Sequence, residues 1–216
     1  MLIHVMWKQQ GGEQDKAYIQ FLINGMQDKD LEIRRNCAGA LRAFRGTLEK
    51  RVAVWDELAI PAYITASRDG DAEIRTNAIN GLAFSGRSEL VTPIFVSALA
   101  DNDRRVRLTA ALTIRGEAIP HRHSPDVQFA KLAVPALIRM LRSDDSQEIH
   151  AAMTALQNFG PDAKAAVPAL LEERTKKKSP PLGNRCCAER NRSVRYENTL
   201  GRIRHWTERT RIQRQD

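Results

Sequence analysis

The sequence predicts an all-α fold, a right-handed α-solenoid of antiparallel helix pairs, on the strength of two observations. A short acidic motif occurs four times, and a proline-containing apolar segment recurs in phase with it. The motif copies occupy residues 28–34, 69–75, 101–107 and 144–150, and they begin 41, 32 and 43 residues apart. A period of about 20–50 residues is typical of stacked repeat arrays.

The proline segment is predicted to form the first helix of each pair. Pro61, Pro93 and Pro135 each precede the next motif by eight or nine residues, and Pro168 belongs to a last copy of the segment. Proline is best tolerated at a helix start, where its missing N–H costs least and its fixed φ is already helical. We therefore expect first helices that begin close to these prolines.

The first aspartate of each motif is predicted to open the second helix of its pair. A carboxylate at this point accepts hydrogen bonds from the free N–H groups and suits the positive end of the helix dipole. A β-branched residue follows five positions later, and small residues after it let helices approach closely. Because such a pair is apolar on both sides, pairs must stack to bury their surface. The aspartates are Asp28, Asp69, Asp101 and Asp144, and the β-branched residues are Ile33, Ile74, Val106 and Ile149.

Taken in order, the chain is predicted to hold about four pairs and a partial fifth. Residues 1–14 form a lead-in, residues 15–174 the repeat array, and residues 175–216 a basic tail that is either a capping helix or disordered. The first pair lacks the proline, since position 20 is Gln20. Prolines at 120 and 125 mark an inserted loop, and Gly160 with Pro161 ends the fourth pair.

These motifs resemble the HEAT-repeat family of armadillo-type superhelices, in particular the bacterial short type described as HEAT-like or phycobiliprotein-lyase-like repeats. The resemblance covers about residues 15–173 and rests on the patterns Asp-x-Asp-x-x-(Ile/Val)-Arg and Val-Pro-Ala-Leu. It implies a hydrogen-bonded ladder between the aspartates and arginines of successive repeats. Here the ladder would join Asp28, Asp69, Asp101 and Asp144 with Arg34, Arg75 and Arg107, while His150 stands where a fourth arginine is expected.

Composition and charge narrow the functional classes. The net charge is +8, but residues 174–216 carry thirteen Lys or Arg against four Asp or Glu, while residues 1–173 are close to neutral. Three cysteines without a Cys-x-x-Cys spacing favour a reduced, cytoplasmic protein. No stretch approaches the roughly 20 apolar residues that span a bilayer, so no membrane span is predicted.

No catalytic, cofactor or metal site is predicted. His121 and His123 lie together on the inserted loop, but two histidines without a carboxylate or thiol nearby make an incomplete metal site. The His-Glu pairs that hold iron in HEAT-like hydroxylases do not occur in any repeat. The acidic motif lacks the glycine and the final glutamate of a calcium loop. Nucleophile motifs and phosphate-binding glycine loops are absent as well.

The predicted function is a non-catalytic scaffold that binds a protein partner through its concave surface, lined by the second helices. The residues expected to face that groove are Arg35, Arg42, Asn77, Asn80, Arg105 and Thr109. One alternative is nucleic-acid binding, by DNA contacts to the concave arginines or to the basic tail. A further alternative is a bilin or cofactor lyase, which only the name of the repeat type suggests.

Overall fold

The computed structural model describes residues 13–45, 52–83, 88–115, 127–176 and 201. Most of the predicted lead-in (1–14) and tail (175–216) lies outside these residues, as does the predicted loop at 120–125. The described residues are helical and contain no strand. The predicted all-α solenoid class is confirmed, and the chain divides into two compact units, residues 1–94 and 95–216.

The first unit contains two helix pairs. Helices α1 (Glu13–Gly25) and α2 (Leu31–Arg45) form the first pair, and α3 (Val52–Ala66) and α4 (Ala72–Leu82) form the second. Helix α1 packs on α2, and α3 packs on α4, while α1 also contacts α3 and α2 contacts α4. First helices therefore lie against first helices and second helices against second helices, which is how stacked pairs bury both apolar sides.

The second unit repeats this arrangement. It contains α6 (Arg104–Arg115), α7 (Val127–Leu141), α8 (Ser146–Phe159), a 3₁₀ helix (Gly160–Ala166) and α9 (Val167–Lys176). Helix α8 packs on α6 and α7, and α9 packs on α7 and on the 3₁₀ helix. The unit boundary falls within α5 (Ser88–Ala98). Gly160, with φ of 53°, ends α8 where the sequence predicts a helix stop.

The core of the first unit depends on one close approach between α3 and α4. Tyr63 of α3 is fully buried, packs beside Trp55 with ring centroids 5.9 Å apart, and donates from its hydroxyl to the Ala38 carbonyl at 3.4 Å. Its ring lies flat against Gly81 of α4, where an added Cβ would come within 2.4 Å of the ring. Glycine at position 81 is therefore required by contact with the ring and not by backbone conformation.

The predicted helix caps are corrected by the structure, because the helix starts two residues later than expected. The second aspartate of each motif is the cap. The Asp71 carboxylate accepts from the N–H groups of Glu73 and Ile74 at 3.1 and 3.2 Å, and Asp30 and Asp103 bond their own helices in the same way. The first aspartate supports the cap: Asp69 accepts from the Asp71 N–H at 2.8 Å.

The fourth motif deviates by one residue. Its cap is Asp145, which accepts from the N–H groups of Gln147 and Glu148, so the predicted opening residue Asp144 lies outside the helix as an exposed side chain. The supporting role passes to the Ser143 hydroxyl, which accepts from the Asp145 N–H at 3.1 Å. As a result Glu148 takes the third helical position, which holds a β-branched residue in the other copies.

The prolines also require a correction. Pro61, Pro93 and Pro135 lie well inside α3, α5 and α7, and Pro168 alone sits near a helix start, as the second residue of α9. An internal proline removes one helical hydrogen bond and crowds the preceding turn. All three internal prolines are on exposed sides of their helices, where water can bond the carbonyl that loses its partner.

Candidate functional site

Arginine side chains tie each motif to its own turn. Arg34 donates from one terminal nitrogen to the carbonyls of Asp28 and Lys29, both at 3.1 Å. Arg75 and Arg107 repeat this contact with the carbonyls five and six residues upstream, at 2.7–2.9 Å. A cation at this point satisfies carbonyls that the turn leaves without partners, so three copies of the motif share one local geometry.

Arg34 and Arg107 also contact the following motif. The Arg34 Nε lies 3.4 Å from the Asp69 carboxylate in the first unit. In the second unit Arg107 donates to Glu148 at 2.9 and 2.5 Å. The partner of Arg107 is therefore Glu148 and not Asp144, because the fourth helix starts one residue earlier in its motif than the other three do.

The predicted groove residues of the first unit lie where α2 meets α4. Arg35 of α2 makes a two-pronged contact with the cap of α4, donating to the two Asp71 oxygens at 3.0 and 2.6 Å, and its Nε is 3.7 Å from Glu73. Arg42 donates to the Asn77 side-chain oxygen at 3.1 Å. Asn80 is half-buried three residues further along α4. These bonds hold the polar side chains of the two helices in one arrangement.

The Arg35 contact changes the protonation behaviour of the cap. The pKa of Asp71 falls to about 2, mainly because of the hydrogen bond from the Arg35 guanidinium; the Ile74 and Glu73 N–H groups also lower it, while burial acts in the opposite direction. The same hydrogen bond raises the pKa of Arg35 above its usual value. A carboxylate that is shared between a helix start and an arginine of the preceding helix therefore stays ionised at any physiological pH.

The second unit has a corresponding contact that the sequence did not predict. Arg104 at the start of α6 donates to the Asp145 cap of α8 and, at 2.6 Å, to the Gln147 side-chain oxygen. The Arg104 hydrogen bond is the main reason that the pKa of Asp145 falls to about 2. Asp145 lies two residues before Gln147, a spacing that indicates a helix cap, but Asp144 was expected to open this helix.

The remaining predicted groove residues lie on α6. Arg105 is the more accessible, with 64% of its side chain exposed and its Nε 3.6 Å from the Asp103 carboxylate. Thr109 is half-buried one turn further along. The predicted residues therefore fall into two groups, one in each unit.

The charge of this surface is largely compensated within each unit. Arg35 faces Asp71 and Glu73, Arg104 faces Asp145, and Arg107 faces Glu148. Arg42 differs, because its partner is the neutral amide of Asn77. Phosphate binding requires arginines whose charge is available. The second-helix surface therefore offers less positive charge than a count of its arginines implies.

Other kinds of site find no support in the described part of the chain. Among those residues no group of three His, Cys, Asp or Glu side chains could hold a metal ion. The described helices are all too short or too polar to cross a bilayer. Cys37 is a free thiol, half-buried on α2, and burial together with the charge of Asp28 raises its pKa, which disfavours a nucleophilic role.

Comparison with known proteins agrees with this architecture. A family model described as HEAT repeats matches residues 60–157. No curated protein matches the sequence. Two engineered proteins, solved as Northeast Structural Genomics Consortium targets, are similar in structure with TM-scores of 0.55 and 0.57 at 18% and 16% identity. The alignments cover 84% of this chain and 78% of the first protein, and 87% of this chain and 86% of the second.

A third similar structure is that of Cex1p, with a TM-score of 0.60 and 16% identity. That alignment covers 88% of this chain but 36% of Cex1p, so the chain spans little more than a third of Cex1p's length. At these identities the three likenesses show a shared fold and nothing about ligands.

Proposed function

Because the chain carries HEAT repeats over residues 60–157, as its motifs predicted, we propose that it is a non-catalytic scaffold that binds a protein partner through its second helices. A helical repeat scaffold presents a broad surface built from equivalent side chains of successive pairs. The bacterial short-repeat type and the cytoplasmic location stay predictions.

One observation carries the proposal: the polar side chains at the α2–α4 junction are bonded to each other and also reach solvent. Arg35 is held by the Asp71 cap, yet 40% of its side chain remains exposed. Arg42 is exposed and is held by Asn77. Side chains that are already ordered lose little conformational entropy when a partner arrives, which favours binding.

The proposed contact residues are thus the predicted ones, Arg35, Arg42, Asn77, Asn80, Arg105 and Thr109, with different roles. We assign Arg42 and Arg105 as the accessible cations and Asn77 and Asn80 as hydrogen-bonding groups. Arg35 acts mainly as a positioning residue, since its charge is engaged by Asp71 and Glu73. Affinity at such surfaces is usually concentrated in a few central residues.

The test compares retention of proteins from an extract of the source cells on the immobilised full chain and on variants. The double variant Arg42→Glu/Asn80→Lys should reduce retention of a genuine partner at least tenfold. It replaces a cation with a carboxylate and a neutral amide with a cation on the second-helix surface. Lys131→Glu is the control, the same replacement of a cation by a carboxylate as Arg42→Glu, on an exposed position of the first helix α7. Circular dichroism would verify that all three chains are folded.

The opposite pattern would refute the proposal. If retention of every enriched protein falls with Lys131→Glu and survives Arg42→Glu/Asn80→Lys, the binding surface lies on the first helices. Direct cross-links from a photoreactive residue at position 80 to the retained protein would give independent support, and cross-links from position 131 alone would not.

Nucleic-acid binding is the rival function, and a second double variant tests it. The tail at 175–216 accounts for the net positive charge of the chain but lies outside the described residues, apart from 175, 176 and 201. Fluorescence anisotropy of a labelled DNA duplex over a salt series measures the electrostatic contact directly. Binding that weakens steeply with salt and is lost in Arg42→Glu/Arg105→Glu would make the second-helix arginines a DNA site and overturn the scaffold proposal.

A further inference from the structure

The N-terminal edge of the first unit exposes an apolar position that later repeats bury. Ile33, the β-branched residue of the first motif, is 43% exposed, whereas its counterparts Ile74, Val106 and Ile149 are at most 1% exposed. This difference identifies a side of the first helix pair that has no covering neighbour among the described residues. We call it the N-terminal face and define it by Phe21, Gly25 and Ile33.

The residues of the N-terminal face are close together. A Cβ added at Gly25, near the end of α1, would lie 3.9 Å from Ile33 Cγ2, so the end of α1 touches the start of α2. Phe21 lies one helical turn before Gly25 on the same side of α1, and it is 67% exposed. An aromatic ring and a branched aliphatic side chain are therefore both exposed close to Gly25.

The rim of the N-terminal face is acidic. Residues 28–32 contain three exposed acidic side chains and one exposed lysine. The acidic residues are Asp28, Asp30 and Glu32. Two copies of the chain that met through this face would bring like charges together, which disfavours self-association. A suitable occupant combines apolar side chains with a positive charge.

The sequence before α1 has this composition. Residues 1–7 read Met-Leu-Ile-His-Val-Met-Trp, and Lys8 is the one charged side chain among residues 1–12. Gly11 and Gly12 directly precede α1, and glycines permit a sharp reversal of chain direction. We propose that residues 1–7 bind the N-terminal face of their own chain and cover Phe21 and Ile33.

The available chain length permits this contact. Helix α1 has 13 residues and is about 20 Å long, so the distance from its start to the N-terminal face is slightly less. Trp7 and Glu13 are six residues apart, and six extended residues reach roughly 20 Å, which is enough to bring the segment to the face. Because the segment is tethered to the face it binds, its effective concentration is in the millimolar range, and modest apolar burial suffices to hold it there.

A double-mutant cycle on the full chain tests the proposal. Trp7→Ser and Phe21→Ser should each lower the Tm by about 2–6 °C, and the double variant should lower it by little more than either alone, because both remove the same contact. Phe21 is mostly exposed, so its replacement leaves the core intact. The matched control is Leu132→Ser, an exposed leucine of α7 in the second unit, whose effect should be independent of Trp7→Ser.

Tryptophan fluorescence provides a second readout that does not depend on stability. In a Trp206→Phe background the remaining indoles are Trp7 and Trp55, and Trp55 is buried in the core. Acrylamide should quench the fluorescence weakly in this chain and about twofold more strongly after Phe21→Ser. The Leu132→Ser control should leave the quenching unchanged.

Three outcomes would overturn the proposal. Independent effects of Trp7→Ser and Phe21→Ser would show that the two residues do not meet, and equal quenching with and without Phe21 would show the same. The third outcome is a second copy of the chain on the face. Sedimentation equilibrium would detect it as an apparent mass that rises with concentration in the parent chain and does not rise after Phe21→Ser.

Discussion

Replacing Gly81 by alanine should destabilise the first unit, although alanine is the better helix former. The added Cβ would lie 2.4, 2.5 and 2.7 Å from three atoms of the Tyr63 ring, and such atoms are ordinarily about 3.5–4.0 Å apart. The ring cannot retreat easily, because Tyr63 is fully buried beside Trp55. Helices α3 and α4 would therefore have to separate by about 1 Å.

The expected magnitude is the difference between two opposing effects. Overpacking of a close-packed core costs about 1–3 kcal/mol. Alanine in place of glycine inside a helix contributes about 0.5–1 kcal/mol in the opposite direction. The net loss in the free energy of unfolding should be about 1–2 kcal/mol, which corresponds to a fall in Tm of about 2–8 °C for a domain of this size.

Gly39→Ala is the matched control, since it makes the same change inside α2. A Cβ there would meet the Asn77 side-chain nitrogen at 3.9 Å, an ordinary contact, so this variant should be more stable than the parent. Urea unfolding followed by circular dichroism measures both. A Gly81→Ala chain that is as stable as the parent would refute the steric reasoning. So would an equal cost of Gly81→Ala in a Tyr63→Leu background.

The ion pairs and the thiol lead to three further predictions. The pKa of Asp71 is lower in the folded chain than in the unfolded one, so the stabilising effect of its carboxylate is complete above about pH 4 and is lost as the pH falls through about 2. In urea titrations Asp71→Asn should therefore cost about 1 kcal/mol at pH 7 and almost nothing at pH 2. The figure for pH 7 allows for the partial exposure of Arg35. Arg107→Ala should cost about 2–4 kcal/mol, because the Glu148 carboxylate, 5% exposed, loses its partner. Cys37 should react with iodoacetamide more slowly in the folded chain than in urea, since burial raises its pKa.

Each of these expectations has a contrary result. A loss from Asp71→Asn that is the same at pH 7 and pH 2 would mean that the carboxylate's charge contributes nothing. For Arg107, the comparison is Arg142→Ala, whose exposed ion pair with Glu172 should contribute less than about 1 kcal/mol. Equal losses from the two arginine variants would show that the burial of Glu148 has no energetic consequence. Peptide-resolved mass spectrometry would show whether Cys37 instead reacts as fast in the folded chain.

The candidate surface was predictable only in part. Arg35, Arg42 and Asn77 were expected on one face from helical periodicity, and the structure brings them together where α2 meets α4. Periodicity could not show that Arg35 is engaged by Asp71, since those two residues are 36 positions apart in the chain. The contact of Arg104 with Asp145 was not predicted, because Asp144 and not Asp145 was expected to open α8.

What the sequence by itself determined is the repeat, the all-α class and the approximate place of each helix. These depend on local physics: apolar periodicity, aspartates that bond nearby N–H groups, and glycine at a helix end, all within a few residues of each other. The tertiary structure decided which carboxylate meets which arginine, which isoleucine is left exposed, and why position 81 must be glycine. Those outcomes depend on contacts between side chains that are 36 to 41 residues apart in the chain. A shift of one residue in a helix start, as at Asp145, replaces one ion-pair partner with another.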